Sequence, residues 1–178
     1  MTRRPRRRRR RTILLGVVAV LVVAYVVVTV VFFVSPDFGT VSRPQAVVVL
    51  GGYGDRFAHG LAVARADHVD TVELSTGNTE AACPKVTGID LHCFAPHPAS
   101  TQGEARAIAA MAEQHHWDRL LVVAGTTQVT RARLRIGRCY GGQMAFTGVD
   151  PAGPFQWIRD VVYDQVAMAK AVLWQWGC

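Results

Sequence analysis

AVVVLGGYGDR, residues 46–56, runs five apolar residues straight into two glycines, an aromatic, a third glycine, an aspartate and an arginine. An unbroken apolar run of this length reads as a strand buried on both faces. The glycines that follow mark a tight turn, and residues 56–68, RFAHGLAVARADH, read as a helix with Phe57, Leu61, Val63 and Ala64 inward. Strand, glycine turn and helix make one βα unit, and the question is whether its loop holds an anionic ligand or only turns the chain.

The same alternation continues along the chain. Residues 71–74 form a short strand, followed by STGN. Residues 83–100 are irregular, with a short strand expected near 89–91. Residues 102–116 form an alanine-rich helix, with Thr101 as N-cap and Glu104 three residues on, the spacing of a capping box. Residues 120–123 are a second buried strand, 128–138 a helix, 143–147 a strand, and 155–176 a long final helix with Phe155, Ile158, Val162, Val166 and Leu173 among its apolar positions. Strands alternating with helices imply an α/β domain, a doubly wound parallel sheet with helices on both faces.

Ahead of this domain the composition changes abruptly. Of the 20 basic residues, eight are arginines within residues 1–11; the rest of the chain carries 12 basic against 13 acidic residues, so the net charge of +7 belongs to a tail. Such a run either contacts phosphates or flanks a membrane helix. Residues 12–34, TILLGVVAVLVVAYVVVTVVFFV, decide it: they hold no charge and no proline. At ~1.5 Å per residue they span roughly 34 Å, enough for the ~30 Å hydrocarbon core. The expected partner is a lipid bilayer through residues 12–34, and no nucleic acid. A cleaved signal peptide has a shorter apolar region ending in small residues. This run exits through Phe32, Phe33, Val34, Ser35 and Pro36, which favours an uncleaved signal anchor. The arginines would then lie in the cytoplasm and the domain at residues 46–178 outside a plasma membrane, joined through a linker at 35–45.

Four cysteines, Cys83, Cys93, Cys139 and Cys178, all follow the span. An even number in an exported domain suggests two disulfides. Three pairings are possible; Cys83 with Cys93 closes a short loop, which leaves Cys139 to tie Cys178 back to the core. A metal reading with His92, Cys93, His97 and Cys83 lacks the paired ligand spacing of a zinc knuckle, and no metal is expected.

In a doubly wound sheet, ligands sit beyond the C-terminal ends of the strands. Three loops fall there. In the first, Gly51, Gly52 and Gly54 let the backbone approach a ligand closely, Asp55 either caps the next helix or faces the ligand, and Arg56 suits a phosphate or carboxylate. The spacing is neither G-x-G-x-x-G nor a P-loop, and no motif names a cofactor. The second loop, with Ser75, Gly77 and Asn78, either binds hydroxyls or is an ordinary turn. In the third, hydroxyls at 126–130 cap a helix, and Arg131 at the same rim as Arg56 makes a pair of cations.

VVVLGGYGDR, LSTGN, STQGEA and LLVVAGTTQVTRARL, taken together over residues 46–148, resemble the YdcF-like family, which includes SanA- and ElyC-type envelope proteins. The resemblance implies a Rossmann-like domain, often membrane-anchored and outward-facing, with a role in cell-envelope or cell-wall processes. Carried over, Gly51, Gly52, Arg56, Gly77, Thr101, Glu104 and Arg131 match its pattern. There are two departures: Gly125 and Gln128 stand where the family usually has Ser and His, and Thr76 is inserted in STGN. A glutamine hydrogen-bonds but moves no proton near neutral pH. The arginine- and alanine-rich, lysine-poor composition suits a GC-rich, actinobacterial type of source.

Three functions follow. The first is an enzyme acting on an anionic envelope intermediate such as a lipid-linked sugar, with Arg56 and Arg131 on the anion and Glu104 as base. The second is a binding module without turnover, which Gln128 favours. The third is a structural or interaction module of a membrane complex, with Trp157, Trp174 and Trp176 either buried or on a partner surface.

Overall fold

The computed structural model describes residues 4–51, 55–76 and 83–178. Helix α1, Arg4–Thr29, continues as a π-helical stretch, Val30–Val34. The segment Arg9–Val34 contains an 18-residue stretch with a mean hydropathy of 3.2 and is long and apolar enough to cross a membrane, which makes it a candidate single-pass anchor.

The domain follows as β1 (Ala46–Val49), α2 (Asp55–Ala66), β2 (Thr71–Ser75), β3 (Asp90–Phe94), α3 (Thr101–His115), β4 (Arg119–Gly125), a 3-10 turn (Thr126–Gln128), α4 (Val129–Ile136), β5 (Gln143–Val149) and α5 (Pro154–Leu173). The five strands form one sheet in the order β3-β2-β1-β4-β5, and every pairing is parallel. This is the Rossmann-like, doubly wound α/β arrangement that the alternation predicts. Strand β1 is central and wholly buried because its side chains feed two cores. Ala46 and Val48 pack with Ile108 and Ala132 under α3 and α4. Val47 and Val49 pack with Ala64 of α2 on the other face.

The segment at 35–45 is bound closely to the domain. The carbonyl of Phe38 accepts from Phe146 N at 2.7 Å, and the carbonyl of Asp37 accepts from Arg133 at 2.7 Å. The side-chain oxygen of Gln45 takes the backbone N–H groups of Asp118 and Arg119. Both expected disulfides are present: Cys83–Cys93 with Cα atoms 5.6 Å apart and Cys139–Cys178 at 4.9 Å. They fit an oxidising compartment.

Three expectations change. The N-cap of α3 is Ser100, whose hydroxyl accepts from Gly103 N. Thr101 lies inside the helix, and Glu104 is not part of a capping box; adjacent hydroxyls are equally good caps, and packing chose between them. The strand expected at 89–91 lies at Asp90–Phe94. The final helix does not bury its apolar positions: among them Phe155 is 88% and Val166 67% exposed, and Trp174 and Trp176 are exposed as well.

Among the described residues Glu73 is the one acid in a buried strand position, 3% exposed on β2. Burial pushes its pKa above the ordinary 4.5, against the smaller opposing pull of His92 and His115. The folded state therefore holds this proton more tightly than the unfolded chain. Ionising Glu73 costs stability as pH rises through and above the ordinary carboxylate range. Glu73→Gln is expected to raise the urea midpoint at pH 7, with the gain vanishing at pH 4; equal midpoints at pH 7 would contradict it.

Candidate functional site

The sheet order reverses between β1 and β4, since β1 is followed by β2 on one side while β4 lies on the other. Their C-terminal ends, Gly51 and Gly125, flank this switch point, the usual ligand crevice of such sheets. The guanidinium of Arg56 lies across both. A Cβ at Gly51 would meet Arg56 Nη1 at 2.2 Å, and one at Gly125 would meet Nη2 at 3.2 Å. Gly51 also has φ +75°, where a side chain is strained. The glycines are thus the space that the arginine occupies.

Arg56 Nη1 donates to the carbonyl of Leu50 and to Gln128 Oε1, both at 3.3 Å. No ion pair involves Arg56 among the described residues. Arg131 is different. Its Nε and Nη2 donate to Asp164 Oδ1 of α5 at 3.0 and 2.7 Å, and its Nη1 donates to Thr101 Oγ1. The hydroxyl of Thr127 donates to Asp164 Oδ2 at 2.6 Å. Arg131 and Asp164 are buried. The two arginines do share one rim, linked through Gln128 Nε2, which donates to Thr101 Oγ1 at 3.4 Å. Among the described residues the expected pair of free cations is nevertheless reduced to Arg56, because Asp164 neutralises Arg131.

Glu104 is 5% exposed in the first turn of α3, where the helix dipole favours a carboxylate. Its Oε1 accepts from Gly51 N at 2.9 Å and from Ser75 Oγ at 2.7 Å. One carboxylate oxygen therefore ties the ends of β1 and β2 to the start of α3. The structure brings Gly51, Arg56, Ser75, Thr101, Glu104, Gln128 and Arg131 together, with exposed Asp55 at the edge. Gly52, Gly54, Gly77 and Asn78 lie outside the described residues.

Around these groups is a two-lobed cleft of about 530 and 470 Å³, whose lobes share Gly51, Arg56, Gln128, Arg131 and Tyr163. Sequence reasoning missed the wall given by α5: Gln156, Arg159, Asp160, Tyr163 and Asp164. The faint signal was Asp160 and Asp164 one helical turn apart on a helix read only for its apolar residues. Arg159 pairs with Asp160 at 2.8 Å, and the hydroxyl of Thr126 donates to Asp150. Among the described residues the cleft thus offers one cation without a carboxylate partner, amid amides, hydroxyls and acids that suit hydroxyl groups. No cluster of three or more metal-ligating side chains occurs among the described residues. Compared with protein-family models, with curated proteins and with solved structures, the chain matches none.

Proposed function

We propose that this chain is a membrane-anchored, extracytoplasmic protein of YdcF-like type. In this reading it binds a small molecule or envelope intermediate bearing a phosphate or carboxylate, in the cleft at the switch point. The observation that carries the reading is Arg56: a guanidinium held in a slot between two glycines, with only neutral partners among the described residues. Its charge is available to an anion, and the surrounding amides and carboxylates suit a hydroxylated ligand body such as a sugar. The arginine tail on one side of the span and the disulfides on the other support a cytoplasmic N-terminus.

The side chains favour binding over turnover. Glu104 accepts hydrogen bonds from two elements, and Gln128 moves no proton. A second reading, a structural or interaction module, draws on the same ties, since Glu104 and Arg131 both join separate elements.

Thermal unfolding of the full chain with a panel of sugar phosphates and sugar carboxylates separates the two. A true ligand at a hundred times its Kd adds about 2.7 kcal/mol of apparent stability. Arg56→Ala is expected to abolish that shift while leaving the unliganded midpoint within a few degrees. A ligand-induced shift that survives Arg56→Ala, or no shift with any member of the panel, rejects the anion-binding reading.

A further inference from the structure

Helix α5 carries an apolar stripe that the domain leaves uncovered. At 100° per residue, Phe155, Ile158, Val162, Val166 and Leu173 fall within a sector of about 80°. All five are more than half exposed, while Asp164 and Ala171 on the opposite side are buried. A patch of this extent calls for a partner.

The partner is indicated by what α5 touches. Gln165, at the border of the stripe, accepts from the Tyr25 hydroxyl at 3.0 Å and donates to Thr29 Oγ1 at 2.9 Å. Both belong to the candidate membrane span. Were the water boundary placed at Tyr25 to keep α5 outside the bilayer, only residues 12–24 would remain to cross it. Thirteen helical residues reach about 20 Å, well short of the ~30 Å hydrocarbon core. Counting about 20 residues from Thr12 puts the boundary near Val31, beyond both contacts of Gln165. The same bilayer that covers α1 therefore reaches the middle of α5.

We propose that α5 is a second bilayer contact, lying in the leaflet on the domain's side of the membrane with its apolar stripe among acyl chains. This rests on α1 spanning the membrane, and it is independent of which way the chain points. Three further observations agree. Between α1, α4 and α5 is an open hollow of about 910 Å³, lined by Val28, Phe32, Met168, Val172 and Leu173 among others, a surface suited to acyl chains. Arg159 and Lys170 fall along one border of the stripe, where long cationic side chains reach headgroups. Trp174 and Trp176, exposed at the end of the helix, are the residue type that settles at the membrane–water interface. Because the other side of α5 forms one wall of the cleft, the cleft then opens close to the lipid headgroups.

Spin labelling of the full chain in phosphatidylcholine–phosphatidylglycerol vesicles tests this. The native cysteines are all paired, so a single added cysteine takes the label. Val166→Cys and Ile158→Cys report the stripe, Val20→Cys the middle of the span, and Ala62→Cys the exposed face of α2 on the far side of the sheet. The ratio of collisions with oxygen to collisions with a water-soluble nickel chelate is expected to be several-fold higher at 158 and 166 than at 62, approaching that at 20. Ratios at 158 and 166 equal to that at 62, with a high ratio at 20, overturn the α5 contact alone. A low ratio at 20 as well removes the span and the α5 contact together. Spin–spin broadening at 166 that disappears on dilution with unlabelled chain assigns the stripe to a second copy and also overturns it.

Discussion

Replacing Asp164 by alanine is expected to lower the unfolding free energy by about 3–5 kcal/mol, the usual cost of leaving a buried charge without its partner. Asp164 holds two nitrogens of Arg131 and the hydroxyl of Thr127, and its side chain is 5% exposed. Without it, the Arg131 guanidinium keeps Thr101 as a side-chain acceptor, and a charge only 11% exposed at the cleft wall loses its counter-ion. Since total stabilities run to about 5–15 kcal/mol, the variant should sit near the edge of folding. Asp164→Asn keeps the size and loses the charge, so it should fall in between. The pair Arg131→Met with Asp164→Leu removes both charges at similar volume and should recover most of the loss. Urea midpoints of the four proteins rank these losses. Equal stabilities for wild type and Asp164→Ala would show that this ion pair does not hold α4 to α5.

Loss of the Cys139–Cys178 disulfide is the second large effect. It closes a sequence separation of 39 residues, for which the chain-entropy relation gives about 4 kcal/mol, against about 3 for the 10-residue separation of Cys83–Cys93. The local consequence enlarges the difference. The carbonyl of Gln175 accepts from Arg135 at 2.8 Å and from Arg138 at 2.6 Å, and the carbonyl of Cys178 accepts from Arg106 at 2.7 Å. Arg135 is 4% exposed, and burial together with the neighbouring Arg138 and Arg131 charges pulls its pKa below the ordinary arginine value. Freeing the tail takes carbonyl acceptors from crowded cations. At about 2–4 °C per kcal/mol for a chain of this size, Cys139→Ser with Cys178→Ser should lower Tm by about 10 °C, more than Cys83→Ser with Cys93→Ser. A larger drop for the Cys83–Cys93 pair would mean that the tail is held by something other than this bridge.

Much of this fold was legible along the chain because its signals are local. An apolar run ending in glycines gives β1 whatever surrounds it, and a 23-residue uncharged stretch behind eight arginines marks a candidate membrane span. The cation at the first loop was legible too, since Gly51 and Arg56 stand five positions apart. Other readings failed where two local answers were equally good. Ser100 and Thr101 are adjacent hydroxyls, and only one of them faces Gly103 N. Glu104 had the spacing of a cap, yet Gly51 N and Ser75 were closer claimants.

By itself, the sequence determined the order of strands and helices, the candidate span, the cysteine count and the candidate loops, because periodicity, charge and turn chemistry act over a few neighbours. The tertiary structure alone decided which charges remain available. Asp164 lies 33 residues from Arg131 in no motif, and among the described residues it leaves Arg56 alone of the apparent pair without a carboxylate partner. It decided as well that the stripe on α5 is uncovered. Apolar periodicity records that a face avoids water; it carries no information on whether protein or lipid provides the cover, since both satisfy the hydrophobic effect equally.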